Sequence, residues 1–443
     1  MSALATRIEK EVGRTLTPIE ISNISAARET TLCRLLMLYI GTGLAFMLLP
    51  GTFLGVWNLL VISSHRSANT VSAAWVQAHG HAQIFGWIGT FILGIGFYSI
   101  PKLRRLNSFA LATVYVAWAL WTAGVSTHWL CTVYQWHWRT LLPLSAVLEL
   151  SAFAIFFRTV SGHRPQECGN EKLESWVLVV IAGTIGLMVA LLMNLGSSVY
   201  LAIHAASPEI PASFDSKLLV VETWGFLVPF VWGFSAKWLP VFLGLRSPRG
   251  RGLLVAVGLN STGVLAGLLS WTSTAAVLFL AGSILAIAAL RLFVTADKPA
   301  KLKGVHSSFP LFIRMAYILA FGAALLGIWA ASVQDSRGIW GASRHALTVG
   351  FFSLLVFAIG QRVLPAFSGM KLLFSTKLMF ASMVLLVLGC LLRVSSEVLA
   401  YQGFLISAWS WLPLSAIFEM TAVTIFAINL FFTFASKPPA SKP

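Results

Sequence analysis

The stretch Ala78-His79-Gly80-His81-Ala82-Gln83-Ile84-Phe85-Gly86-Trp87 opens an apolar run that reaches Pro101, and its two imidazoles decide how the chain is read. An ionisable side chain inside a bilayer carries an insertion cost and as a rule faces the bundle interior or a cavity. The pattern returns at Ser343-Arg344-His345-Ala346-Leu347-Thr348-Val349-Gly350, which runs on to Pro365. The two copies align without a gap. His81 stands 20 residues before Pro101 and His345 stands 20 before Pro365. Between them Ala82 matches Ala346, Gly86 matches Gly350, and Ile95-Gly96 matches Ile359-Gly360. Twenty helical residues rise about 30 Å, the thickness of the hydrocarbon core. The two histidines therefore lie at one depth on two related helices, a geometry that suits a metal or haem held between helices.

Composition supports a membrane setting. The 443 residues are 57% hydrophobic and 10% charged, with a mean hydropathy of +0.82. Soluble domains are about 25% charged. Repeated apolar stretches near 20 residues read as an all-α polytopic membrane protein in contact with the lipid bilayer. A β-barrel would show short alternating segments instead. The net charge of +16 lies in connecting loops, where positive charge sets topology, so no nucleic-acid partner is expected. Cys33, Cys131, Cys168 and Cys390 show no metal-ligand spacing. Residues 1–30 carry Arg7, Lys10, Arg14 and Arg28 without an apolar core, so they read as a leader that is not a cleavable signal.

Twelve spans are expected: 35–58, 78–101, 107–130, 140–160, 175–198, 217–242, 253–272, 274–294, 309–332, 344–366, 376–399 and 405–432. Only a weak Trp271-Thr272-Ser273-Thr274 break divides the seventh from the eighth. Loops after even-numbered spans hold Lys102, Arg104, Arg105, Arg164, Lys172, Arg246, Arg249, Arg251, Lys298, Lys301, Lys303 and Lys371. Loops after odd-numbered spans hold little beyond Arg66, Arg139 and Arg337. This alternation predicts a bacterial inner-membrane protein with both termini cytoplasmic and the histidines toward the outer face. The layout is then a tail over 1–34, a membrane domain over 35–432 and a second tail over 433–443.

The repeat exceeds one helix. Leu142-Pro143-Leu144-Ser145-Ala146-Val147-Leu148-Glu149 returns as Leu412-Pro413-Leu414-Ser415-Ala416-Ile417-Phe418-Glu419. A weaker third copy of the histidine helix runs from Glu222-Thr223-Trp224-Gly225 to Leu239-Pro240. Its Gly225 precedes Pro240 by 15 residues, as Gly86 precedes Pro101 and Gly350 precedes Pro365. Three quasi-repeats of four helices in one orientation predict a pseudo-threefold arrangement about the membrane normal. They are parallel repeats, unlike the inverted ones of many transporters.

Twelve helices in three groups, with histidines early in spans two and ten, resemble subunit I of the haem–copper oxidase superfamily. Within it the chain is most similar to the NnrS family. That resemblance rests on His79-Gly80-His81 with its downstream Gly and Pro, and on Arg344-His345-Ala346-Leu347-Thr348-Val349-Gly350 with Arg362. The family often has Gly-His-Thr-Gly after this arginine, where the chain reads Leu364-Pro365-Ala366-Phe367-Ser368-Gly369. The resemblance implies a haem, expected to be b type, held by His81 and His345, and a link to nitric oxide or membrane electron transfer. The oxidases hold copper with three histidines on spans six and seven. The repeat places the first of these at Val220, span seven has no histidine, and Ser343 stands where the oxidase pair on span ten needs one. The oxidase copper site is thus missing, and any copper would sit at another site.

Other residues keep two readings. His79 is about 200° round the helix from His81, so it serves either a second haem or copper on the opposite face or a hydrogen bond. His128 and His137 flank the Trp129 to Trp138 segment, which reads as an interfacial aromatic belt, with ligation or contact with a haem edge as the second reading. His65, His163, His204 and His306 fall in loops and read as solvated. Glu149 and Glu419 are matched intramembrane carboxylates with no obvious basic partner, suited to proton handling or to a packing hydrogen bond. Glu222 and Trp224 stand where the oxidase Glu and Tyr follow the first copper histidine. Arg344 and Arg393 lie near outer helix ends, placed to pair with propionates. Gln83 and Thr348 are candidates to orient the ligating imidazoles. The leading reading is a haem-binding membrane protein with a redox partner or a gas ligand such as nitric oxide. Its rivals are a catalytic oxidase or nitric oxide reductase subunit, and a transporter.

Overall fold

The computed structural model describes residues 17–103, 109–161, 173–367 and 372–435. Arg104, Arg105, His163, Arg164, Cys168, Lys172, Ser368, Gly369, Lys371 and the outer parts of both expected tails lie outside the described residues. Among the described residues there is no strand, and twelve long helices follow one another. They are α1 (Pro18–His65), α2 (Ala73–Leu103), α3 (Leu111–Tyr134), α4 (Trp138–Ser161), α5 (Ser175–His204), α6 (Ala212–Leu243), α7 (Gly250–Leu268), α8 (Thr272–Leu290), α9 (Phe309–Ser332), α10 (Gly338–Phe367), α11 (Thr376–Tyr401) and α12 (Ala408–Ala435). Eleven are long and apolar enough to cross a membrane. The exception, α3, interrupts its apolar run with Thr113, Thr122, Ser126, Thr127 and His128.

The expected start of the first span, at residue 35, falls inside a continuous helix. That helix begins after Thr17, whose hydroxyl accepts from the Glu20 amide at 3.3 Å while Glu20 accepts from the Thr17 amide at 2.9 Å. This reciprocal cap satisfies amides that a helix start otherwise leaves open. The extension is held against the far end of α2, where Tyr98 donates to Glu29 at 2.8 Å and Lys102 pairs with the same carboxylate.

The three repeats are visible in the packing. The last two helices of each repeat, α3 with α4, α7 with α8 and α11 with α12, pack along one another. Each fourth helix then lies on the first helix of the next repeat, and α12 closes the ring on α1. The second helix of every repeat is central: 83% of the apolar window of α2 and 72% of those of α6 and α10 is buried, against 33% to 44% in eight of the nine outer helices.

The same three helices each widen into a π-helical segment, at Ala82–Gly89 in α2, Val221–Leu227 in α6 and Ala346–Ser353 in α10. Each segment begins one residue after a position 20 residues before the repeat's proline, namely His81, Val220 and His345. The weak middle copy therefore shares the register of the other two. A wide turn leaves a carbonyl without its helical donor, and here a side chain takes it up. Trp121 donates to Phe85 O at 3.2 Å, Asn260 to Trp224 O at 2.6 Å and Ser353 to Thr348 O at 2.8 Å. Such segments are frequent at functional sites.

Candidate functional site

The two imidazoles of α2 serve different neighbours, as two residues at about 200° require. His79 turns to α1. There Pro50 lies within a further π-helical segment, Met47–Phe53, and Pro has no amide to continue the ladder. Two carbonyls of this wide turn meet side chains: Pro50 O accepts from Trp129 Nε1 at 3.2 Å, and Gly51 O, which also accepts from the Leu54 amide, lies 2.9 Å from His79 Nδ1. The ring lies so close to α1 that a Cβ on Gly55 would stand 2.6 Å from His79 Cε1.

His81 turns instead to α3 and α4. Its Nε2 lies 2.9 Å from Glu149 Oε1, and its ring stacks on His128 at 3.6 Å between centroids and 2° between planes. The second carboxylate oxygen of Glu149 accepts from Asn194 Nδ2 at 3.3 Å. All four side chains are buried, and His128 Nδ1 has no hydrogen-bond partner. Glu149 thus has the imidazole partner that the sequence did not reveal. His128, expected in an interfacial belt, belongs to this cluster. His81 Nε2, expected to meet His345 across one cofactor, here lies against Glu149 Oε1.

In the third repeat, His345 Nδ1 lies 2.9 Å from Gly341 O and 3.0 Å from Glu397 Oε2. Arg393 reaches from α11, with Nη2 3.5 Å from His345 Nε2 and Nε 3.5 Å from Glu397 Oε2. Arg393 Nη1 is buried without a hydrogen-bond partner, and so is Glu419 Oε1. His79 is oriented by a backbone carbonyl, and His345 by the Gly341 carbonyl with the Glu397 carboxylate beside it. The side chains expected to orient the imidazoles bond elsewhere, Gln83 to Thr52 Oγ1 at 3.1 Å and Thr348 to Arg344 O at 2.8 Å.

The first and third clusters share one scaffold. A Cβ on Gly124 of α3 would stand 2.7 Å from Glu149 Cγ, and one on Gly389 of α11 would stand 2.9 Å from Glu419 Cγ. Four residues beyond these glycines are His128 and Arg393. A histidine in one repeat therefore occupies the place of an arginine in the other.

One cavity of about 290 Å³ joins the two clusters. His79, His81, His345, Arg344 and Arg393 line it, with Glu222 and Glu419 at other walls. His79, His345 and Arg393 lie within electrostatic reach of one another, as do Arg344 and Asp215. Trp224 stays outside, stacked on Phe279 at 4.4 Å. Val220 packs toward α7, where a Cβ on Gly267 would stand 3.1 Å from its Cγ1. Ser343, at the place of an oxidase histidine, donates to Ala323 O at 2.8 Å. Asn194, Asp215 and Glu397 are site residues that reading the sequence missed. Glu397 has no carboxylate counterpart in the first repeat, so repetition does not flag it.

No protein-family profile matches the chain, and no curated protein matches it in sequence. The likeness is structural. A chain of a heme-copper terminal oxidase dimer superposes with a TM-score of 0.70 over 93% of this chain and 85% of that one, at 12% sequence identity. The fold is that of the haem–copper oxidase subunit.

Proposed function

We propose that the protein binds a haem between α2 and α10 and works as a redox component within the bilayer, with His79 and His345 as the residues that would hold its iron. One observation carries this reading. Both rings commit Nδ1 to a backbone carbonyl, at 2.9 Å each, and both line one cavity between their helices. A metal-ligating histidine is usually fixed in this way, which sets its tautomer and leaves Nε2 for the metal; at His345 the Arg393 Nη2 that lies 3.5 Å from Nε2 would move aside. The donor set fits the group further. Arg344 and Arg393 stand at the same cavity, and the buried, unpartnered Nη1 of Arg393 suits a propionate. Bound there, a b-type haem supplies reversible one-electron chemistry. Held by two imidazoles, such an iron would favour electron transfer over gas binding.

The NnrS resemblance supports a setting in nitrosative stress, with nitric oxide or a redox partner as the interacting species. A catalytic oxidase or nitric oxide reductase role is less supported, because Val220 and a histidine-free α7 replace the usual metal ligands. Three parallel repeats give no support to the inverted repeats of many transporters. Loop charges such as Arg246, Arg249 and Lys298 against Arg66 support an inner-membrane location with cytoplasmic termini.

The test is an absorption spectrum of the purified full chain, oxidised and dithionite-reduced. The wild type should show a low-spin haem, His79→Ala and His345→Ala should each lose or convert it, and His81→Ala should keep it. A haem lost with His81→Ala but kept with His79→Ala would overturn the ligand assignment. A wild type that binds no haem under haem-replete expression would overturn the function.

A further inference from the structure

We propose that His81, His128 and Glu149 form a second site, separate from the haem ligands, for a first-row divalent transition-metal ion. Each residue offers a ligand atom, and the three atoms lie within 4.8 Å of one another. They come from α2, α3 and α4, and all three side chains are buried. Two imidazoles and one carboxylate are the donors that zinc, copper(II) and iron(II) accept, whereas magnesium and calcium prefer oxygen alone.

A simple hydrogen-bonded cluster accounts for only part of the arrangement. It explains His81 and Glu149, which bond at 2.9 Å, and Asn194, which donates to the other carboxylate oxygen at 3.3 Å. It does not explain His128. That ring lies flat on another imidazole with a buried Nδ1 that bonds to nothing. Buried polar nitrogens without partners are rare because each costs a lost hydrogen bond. A shared ion gives both rings a partner. The lone pairs lie in the ring planes, so the stack must tilt open for them to converge on one point. Asn194 would then hold the carboxylate from outside, as outer-shell donors do.

The third repeat supplies a natural control. On the same scaffold Arg393 replaces His128, and a guanidinium neither ligates nor tolerates a neighbouring cation. The repeat that lacks this positive charge is the one whose histidines and carboxylate converge. A route for a cation also exists. His81, His128 and Asn194 line the central cavity together with the carboxylates Asp215 and Glu222.

The test is elemental analysis of the full-length protein in detergent, set against its haem content. About one equivalent of zinc, copper, manganese, nickel or non-haem iron per chain should be found. Both His128→Asn and the near-isosteric Glu149→Gln should reduce that equivalent at least tenfold. Monodispersity and helical circular dichroism report folding whether or not haem binds. Metal-stripped wild type titrated with Co²⁺ alone should develop visible d–d bands that neither variant shows. His79→Ala, which tests the haem, should leave the metal content unchanged, so the two proposals fail separately. Folded wild type without a stoichiometric metal and without Co²⁺ bands would overturn the site. So would a metal equivalent that survives in both folded variants.

Discussion

The first and third repeats place a histidine on the central helix and a carboxylate on the fourth helix in the same way, and differ on the helix between. In the first, His128 stacks on His81 beside Glu149. In the third, Arg393 approaches His345 beside Glu397, and Glu419 is left with an unpartnered oxygen. His128 against Arg393, with Glu397 added in the third repeat, separates a pocket of two imidazoles and a carboxylate from a pocket with a fixed positive charge. The first suits a cation, the second an anionic group. A histidine-bearing repeat can therefore be copied and sent toward another ligand without redrawing the helices.

The largest expected effect comes from removing the charge. Arg393→Ala leaves Glu397 buried without its guanidinium, and breaking such a pair costs about 3–5 kcal/mol. A thermal melt in detergent should fall accordingly, and an unchanged melt would show the pair to be solvated. Arg393→His sharpens the comparison, since it rebuilds the donor set of the first repeat. Metal content should then rise by about one equivalent, and no gain in a folded variant would mean that this position alone does not decide. Next come the glycines. Gly124→Ala puts a methyl 2.7 Å from Glu149 Cγ, and overpacking of this kind costs about 1–3 kcal/mol. Gly389→Ala, at 2.9 Å from Glu419 Cγ, should cost less and leave the metal of the first repeat in place. Asn194→Ala removes the outer donor to Glu149, so Co²⁺ affinity should drop about 10- to 100-fold. An affinity unchanged in this variant would detach Asn194 from the site. The smallest effect belongs to the exposed Arg246–Asp297 pair, 2.7 Å apart between two loops. Arg246→Ala should leave melting, haem spectrum and metal content unchanged, since exposed pairs contribute little.

The helices and their repetition were legible in the sequence because length and hydropathy fix them locally. Even the faint middle copy, marked by Gly225 and Pro240, holds the shared register of the widened turns. The first helix was cut short because its opening turns are polar, although Thr17 and Glu20 had the spacing of a cap. Which neighbour each α2 imidazole meets was not legible, because that depends on where α1, α3 and α4 lie around the helix. A hint was present in Gly124-x-x-x-His128 and Gly389-x-x-x-Arg393, whose match requires the two repeats to be aligned at their third helices.

The widened turns bear on descent as well as on chemistry. A π-helical turn holds one residue more than the α-helix around it, so it records a single insertion. Three such turns at one register, in copies whose sequences have otherwise drifted apart, are most simply one insertion inherited three times. The ancestral four-helix unit then already carried the extra residue before it was triplicated. Its descendants would be expected to keep that length difference even where, as at Val220, the histidine beside it is gone.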